Sequence, residues 1–183
     1  MSVELRAYMP IVLTVTNSAR ERSAAGLLSV VDTLDPARSP RYHPRDLTGD
    51  GKRETFCNIF LWDFSRSMEA EIPHWIDPVS GDPGRPGQAF KELNANGVAD
   101  WLREHGSRFG WHRADASTAR VYALAGKPAA AVWKNPIGIG HVAVLIPAPD
   151  SRIWIAQAGA SCFKRGTLAE GFGAHAPGFW IHE

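Results

Sequence analysis

Two residue types in this chain could form a nucleophile and its base. Cysteine occurs twice, at Cys57 and Cys162, and histidine seven times. A thiol attacks only as thiolate, and the amides and dipole of a helix N-terminus lower the pKa of a cysteine placed there. Thr55 reads as the N-cap of a helix that starts at Phe56 and carries Cys57, Leu61, Phe64 and Met68 on one stripe, which puts Cys57 in the first turn. Of the histidines, His141 follows the glycine-punctuated turn Pro136-Ile137-Gly138-Ile139-Gly140 and opens the strand His141-Val142-Ala143-Val144-Leu145. A strand end holds an imidazole rigidly at a cleft edge, and histidine has the unperturbed pKa for proton transfer to and from an acyl intermediate.

A third member follows from the hairpin after that strand. If the turn from Pro147 to Ser151 is centred on Pro149, Ile146 pairs with Arg152 and His141 with Gln157. Directly opposed residues share a face, so the Gln157 amide would orient the imidazole above an apolar floor of Ala143, Leu145, Ile153 and Ile155.

These residues resemble a known superfamily. Thr55-Phe56-Cys57-Asn58 opening a helix, Gly140-His141-Val142-Ala143-Val144 opening a strand and Ile155-Ala156-Gln157 on the next are similar to the papain-like NlpC/P60 and CHAP proteins. That resemblance spans residues 40 to 182. It implies a cysteine amidase or endopeptidase acting on bacterial peptidoglycan, with the nucleophile helix packed on a small antiparallel sheet. Two departures stand out. Phe56 occupies the place where many relatives carry Asp or Gln, and Gln157 the place where His, Asn, Asp or Glu is more usual. The missing oxyanion donor could then be Asn58, the Cys57 amide, or Asn94 or Asn96 of the segment Leu93-Asn94-Ala95-Asn96, since developing charge needs preorganised N–H groups.

Other motifs read more plainly. Cys162, in Gly159-Ala160-Ser161-Cys162-Phe163, lacks a helix start and reads as a passive thiol. Asp46-Leu47-Thr48-Gly49-Asp50-Gly51 looks like the opening of a calcium loop, but the twelfth position is Cys57 rather than Glu, which favours a tight turn. No His/Cys group has zinc spacing, so the reading calls for no metal and no cofactor. Trp101 and Trp154 look like core, and Trp75, on the Pro/Gly-rich loop from Pro73 to Gln88 beside His74, could line a sugar or peptide groove. Asp63 and Glu71 read as solvated helix charges.

The elements that must hold these residues follow from periodicity. Ser18 and Glu21 suggest a capping box before the amphipathic run Ala24, Leu27, Leu28, Val31, Leu34; Phe90 to Leu102 predicts a helix ending at Gly106, and Ser117 to Ala125 another. After Lys127, short apolar runs at Ala129 to Asn135, His141 to Pro147, Arg152 to Ala158 and Gly178 to His182 predict strands. The expected fold is α+β, papain-like, with N-terminal helices packed on a small antiparallel β-sheet. It would form one domain over residues 1–183, residues 1–40 being a helical extension and 41–183 the catalytic core.

Composition bounds the rest. Lys plus Arg is 20 against 19 for Asp plus Glu, which gives no global field for nucleic acid or an acidic membrane surface. No apolar run approaches the roughly 20 residues of a membrane span, and Glu4 and Arg6 precede only a short apolar stretch, so no Sec signal is expected. By resemblance the substrate is the peptidoglycan stem peptide. A protein made in the cytoplasm would reach it after lysis or through dedicated secretion, as a phage endolysin or an antibacterial effector, with an immunity, secretion or lysis protein as partner. The rivals are a Cys-His protein glutamine deamidase or transferase and a catalytically silent cell-wall or protein-binding module.

Overall fold

The computed structural model describes residues 8–86 and 89–183; the expectations placed on Glu4, Arg6 and Gln88 lie outside them. The fold is α+β. Helix α1 (Ala24–Leu34) and helix α2 (Cys57–Ser67) come first, then a two-stranded ribbon of β1 (Trp75–Ile76) and β2 (Lys91–Glu92), and helix α3 (Ala95–Glu104). Strand β3 (Trp111–Ala114) and helix α4 (Ala116–Leu124) precede β4 (Ala129–Trp133), β5 (His141–Ile146), β6 (Trp154–Gln157), β7 (Phe163–Thr167), the short helix α5 (Leu168–Phe172) and β8 (Gly178–His182). Six strands form one sheet in the order β3-β8-β4-β5-β6-β7, every paired neighbour antiparallel.

The sheet has an apolar layer on each face, as alternation along its strands requires. Val142, Val144 and Ile146 of β5, with Ala156, Ala130 and Val132, join the larger core, to which α1 adds Leu27, Val30, Val31 and Leu34, and α2 adds Ile59, Phe60 and Phe64. Ala143, Leu145, Ile155, Ala129, Ala131 and Ile181 form a second core under Ala119 and Ala123 of α4 and Phe172 of α5. The small alanines on β4 let α4 lie close to the sheet. Residues 24–34, expected as an extension, are thus built into the core that holds Cys57.

Several local expectations shift. Ser23, not Ser18, caps α1, its hydroxyl accepting from Gly26 N–H at 3.0 Å. Phe90 and Leu93 precede α3 rather than belonging to it; Asn94 caps that helix, accepting from Gly97 N–H at 2.9 Å. Strands β3 and β7 and helix α5 were not expected, so β3 enters the sheet before the last long helix. Among the described residues no helix is long and apolar enough to cross a membrane.

Asp63 is not solvated: its side chain is 0% exposed and holds the α2 flank to the segment before it. Arg41 Nε donates to it at 2.6 Å and the Tyr42 hydroxyl at 2.9 Å, while Arg66 lies 3.9 Å away. Burial pushes the Asp63 carboxyl up, opposed by Arg41 and Tyr42. Glu71 likewise accepts from Trp62 Nε1 at 2.8 Å. Asp63→Ala removes the carboxylate from a half-buried guanidinium and a buried hydroxyl, and should destabilise the fold by about 3 kcal/mol. Tyr42→Phe, which removes one neutral donor, should cost about 1–2 kcal/mol. Denaturant midpoints at constant slope would check both values and their order.

Candidate active site

Cys57 is the first residue of α2, but the cap is Phe56, not Thr55. Phe56 supplies no side-chain acceptor, so the first-turn amides keep their donors free of a capping oxygen. The main-chain N–H groups of Val142, Asn58 and Cys57 itself are directed at the sulfur. Cys57 is 4% exposed, and burial pushes its thiol up; those three N–H groups oppose the shift without reversing it. The expected lowering at a helix N-terminus is therefore overturned by desolvation, which disfavours the thiolate more than the amides favour it.

His141 opens β5 as expected, and the glycine before it is required. A Cβ on Gly140 would meet the Trp133 carbonyl and Asn96 Oδ1 at less than normal contact. Asn96 itself braces this turn: its amide donates to the Gly138 carbonyl at 2.7 Å and that of Asn135 at 3.0 Å, and its oxygen accepts from Asn135 N–H at 2.9 Å.

The hairpin register differs from the expected one by two residues. Val144 pairs with Ala156, Leu145 with Ile155 and Ile146 with Trp154. The connection is longer because Asp150, one residue beyond the expected centre, collects Arg152 N–H at 3.1 Å and Trp154 Nε1 at 2.8 Å. A shift of two preserves the face, so His141 and Gln157 become diagonal neighbours instead of opposed ones. Gln157 is long enough to close the gap: its Oε1 lies 2.7 Å from His141 Nε2.

That contact assigns the imidazole tautomer. Gln157 Nε2 donates to the Ser161 carbonyl at 3.0 Å, which turns Oε1 toward the ring and makes His141 Nε2 the donor. Nδ1 is left with its lone pair. Phe172 of α5 packs edge-on against the ring at 4.9 Å, and Gly171 lets α5 approach Gln157 where a Cβ would collide with Oε1. Burial lowers the His141 pKa, and the Gln157 hydrogen bond partly offsets this. Both shifts favour the uncharged forms, thiol and imidazole.

The two groups approach the first peptide of β5 from different sides. His141 shares the face of Ala143 and Leu145, whereas Cys57 sits with α2 on the face of Val142 and Val144. No hydrogen bond joins the sulfur to the ring; the link is the Val142 N–H, whose nitrogen is bonded to the His141 carbonyl carbon. Here β5 and β6 have parted, their ladder beginning only at Val144. Cys57 lines a cleft of about 380 Å³ with Asn58, Asn94 and Glu92; His141 and Gln157 line one of about 470 Å³ with Trp133, Phe172 and His175. The clefts share Arg53, Thr55 and Ile139.

The remaining candidates separate by what their amides already do. Asn58 Nδ2 donates to the Leu93 carbonyl at 2.8 Å and lies 3.3 Å from His74 Nδ1, which commits both hydrogens. Asn96 is committed to the turn. Asn94 uses only its oxygen, in the cap, and lines the Cys57 cleft. Trp75 is half-buried, its indole donating to the Tyr8 carbonyl at 3.1 Å, and it packs on His74. Trp101 is core, but Trp154 is half-buried between Arg152 and Arg165. Asp46 accepts from Gly49 N–H at 2.6 Å and Gly51 N–H at 2.9 Å, as a tight turn requires. Cys162 is a free thiol whose sulfur lies 3.5 Å from the Tyr42 carbonyl.

Sequence reasoning missed the ring contact of Phe172, although Thr167-Leu168-Ala169-Glu170 carries the capping-box signal of α5. It also missed His74, buried among Tyr8, Trp62 and Trp75 with Glu92 Oε1 at 3.2 Å; nothing in its spacing marks it.

Comparison with protein-family models finds no match for the chain, and comparison with curated proteins finds none.

The electrostatics make a direct expectation. Alkylation of Cys57 by iodoacetamide in the folded protein should rise with a midpoint above the ordinary thiol range near ~8.5, followed by peptide mass spectrometry. A midpoint near neutrality would mean that a preformed ion pair exists.

Proposed function

We propose that this protein is a papain-like cysteine hydrolase of the NlpC/P60 and CHAP kind that cleaves an amide bond in the peptidoglycan stem peptide. The observation that carries the reading is the chain Ser161 carbonyl, Gln157 amide, His141 imidazole, which leaves Nδ1 unprotonated beside the peptide that holds the Cys57 sulfur.

The chemistry follows from the protonation states. Because thiol and imidazole both rest neutral, Nδ1 closes on the sulfur as substrate enters and takes the thiol proton during attack, a tightening common on substrate binding. The new carbon–sulfur bond places negative charge on the carbonyl oxygen, where the Asn94 amide, whose oxygen alone is engaged in the cap, is the available donor. His141 then gives its proton to the departing amine, takes one from water, and the hydroxide releases the acyl group as acid while the proton returns to sulfur. Gln157 holds the ring but stabilises imidazolium less than a carboxylate would, consistent with a base that works neutral.

Purified sacculi incubated with the protein should release muropeptides, and mass spectrometry identifies the bond. Cys57→Ala and His141→Ala should each lower the rate by about 10³-fold or more. Equal activity of Cys57→Ala would leave a binding module, and ammonia release from proteins without muropeptides would leave a glutamine deamidase.

A pH profile tests the mechanism separately. Burial keeps His141 neutral to lower pH than an ordinary histidine, so the acid limb of kcat/KM should fall below about 6.5. Gln157→Glu adds a negative charge beside the imidazolium and should move that limb upward. An unmoved limb would exclude His141 as the titrating base.

A further inference from the structure

The groove shared by the two clefts has cations without carboxylate partners. Arg53 is exposed and forms part of the wall common to both clefts, between the Cys57 side and the His141 side, with Lys52 beside it on the Cys57 side. Three of the four carboxylates lining the clefts already accept from a main-chain N–H. Glu54 accepts from Leu47 N–H at 2.8 Å, and Asp50 from Lys52 N–H at 2.9 Å. Glu92 lies against His74 at 3.2 Å, and Glu170 accepts from Thr167 N–H at 2.7 Å. No salt bridge to a carboxylate is formed by Arg53 or Lys52 among the described residues. The groove therefore offers charged donors to its occupant and asks for an acceptor.

Resting on the hydrolase reading, we propose that Arg53 is a specificity-determining residue that binds a free carboxylate flanking the scissile amide. The chain then selects stem peptides whose side carboxyls are free over those in which they are amidated. A guanidinium presents a planar fork of N–H donors that a carboxylate accepts in two parallel bonds, whereas a carboxamide, one oxygen and no charge, accepts less and brings its own donors against the cation. Position gives the selectivity its reach. Because Arg53 lines both clefts and only Glu54 and Thr55 separate it from the Phe56–Cys57 peptide, a peptide seated at Cys57 presents its neighbouring groups within reach of the guanidinium.

The test uses one synthetic stem peptide in two forms, side carboxyl free and amidated. The native protein should prefer the free acid in kcat/KM by about 10-fold to 100-fold, the range of a charge-assisted hydrogen bond, and Arg53→Gln should bring the ratio toward 1. A ratio that Arg53→Gln leaves unchanged, or a native ratio near 1, overturns the proposal. Calorimetric titration of the same two peptides into Cys57→Ala protein reads the contact without turnover. Acid-selective binding that weakens with salt and is lost in the Cys57→Ala, Arg53→Gln double variant supports the proposal even if no bond is ever cut, in which case the hydrolase reading alone falls. Equal binding of acid and amide removes Arg53 as the determinant while leaving hydrolysis to be judged on sacculi.

Discussion

The structure depends on the seating of α2 against β5. Ile59, Phe60 and Phe64 bury their side chains against Val142, Val144 and Ile146, and this packing carries the helix N-terminus to the end of the strand. Once there, the first-turn N–H groups and the Val142 N–H converge on one sulfur atom. Burial and convergence act against each other: the apolar layer that brings the thiol to its place also withdraws it from water and keeps it protonated. On the proposed reading, a cysteine held this way becomes a nucleophile only when a neutral base reaches it.

His141, the base of the proposed reaction, is kept neutral by its surroundings. The second core, with Phe172 and Leu145, desolvates one side of the sheet and lowers the affinity of the imidazole for a proton. Gln157 fixes which nitrogen carries the single hydrogen, and Ser161 fixes which way Gln157 points. The orientation of one main-chain carbonyl in the loop after β6 thus determines which ring nitrogen keeps its lone pair. Both links run through the amide of the buried Gln157, where a misdirected donor would be costly.

The polar residues around this centre are mostly occupied with holding it. Asn96 ties α3 to the turn before His141, Asn58 ties α2 to the segment before α3, and Asp63 ties α2 to Arg41 and Tyr42. With these committed, the groups left to face a ligand are few: the Asn94 amide, Nδ1 of His141 and the cations Lys52 and Arg53.

Much of this was legible in the sequence, because periodicity and punctuation are local. The apolar stripe after Cys57, the Gly138 to Gly140 turn and the alternation of β5 and β6 determined a first-turn cysteine, a strand-opening histidine and a glutamine on its face. Alternation has a period of two, so even a two-residue error in hairpin register left Gln157 on the correct side. Other features needed tertiary structure. The register itself was set by Asp150 gathering donors from Arg152 and Trp154, and the burial of Asp63 by Arg41 and Tyr42 arriving from another segment. The upward shift of the Cys57 thiol was decided by the layer folded over it, since desolvation depends on everything packed around a group and local spacing carries no record of that.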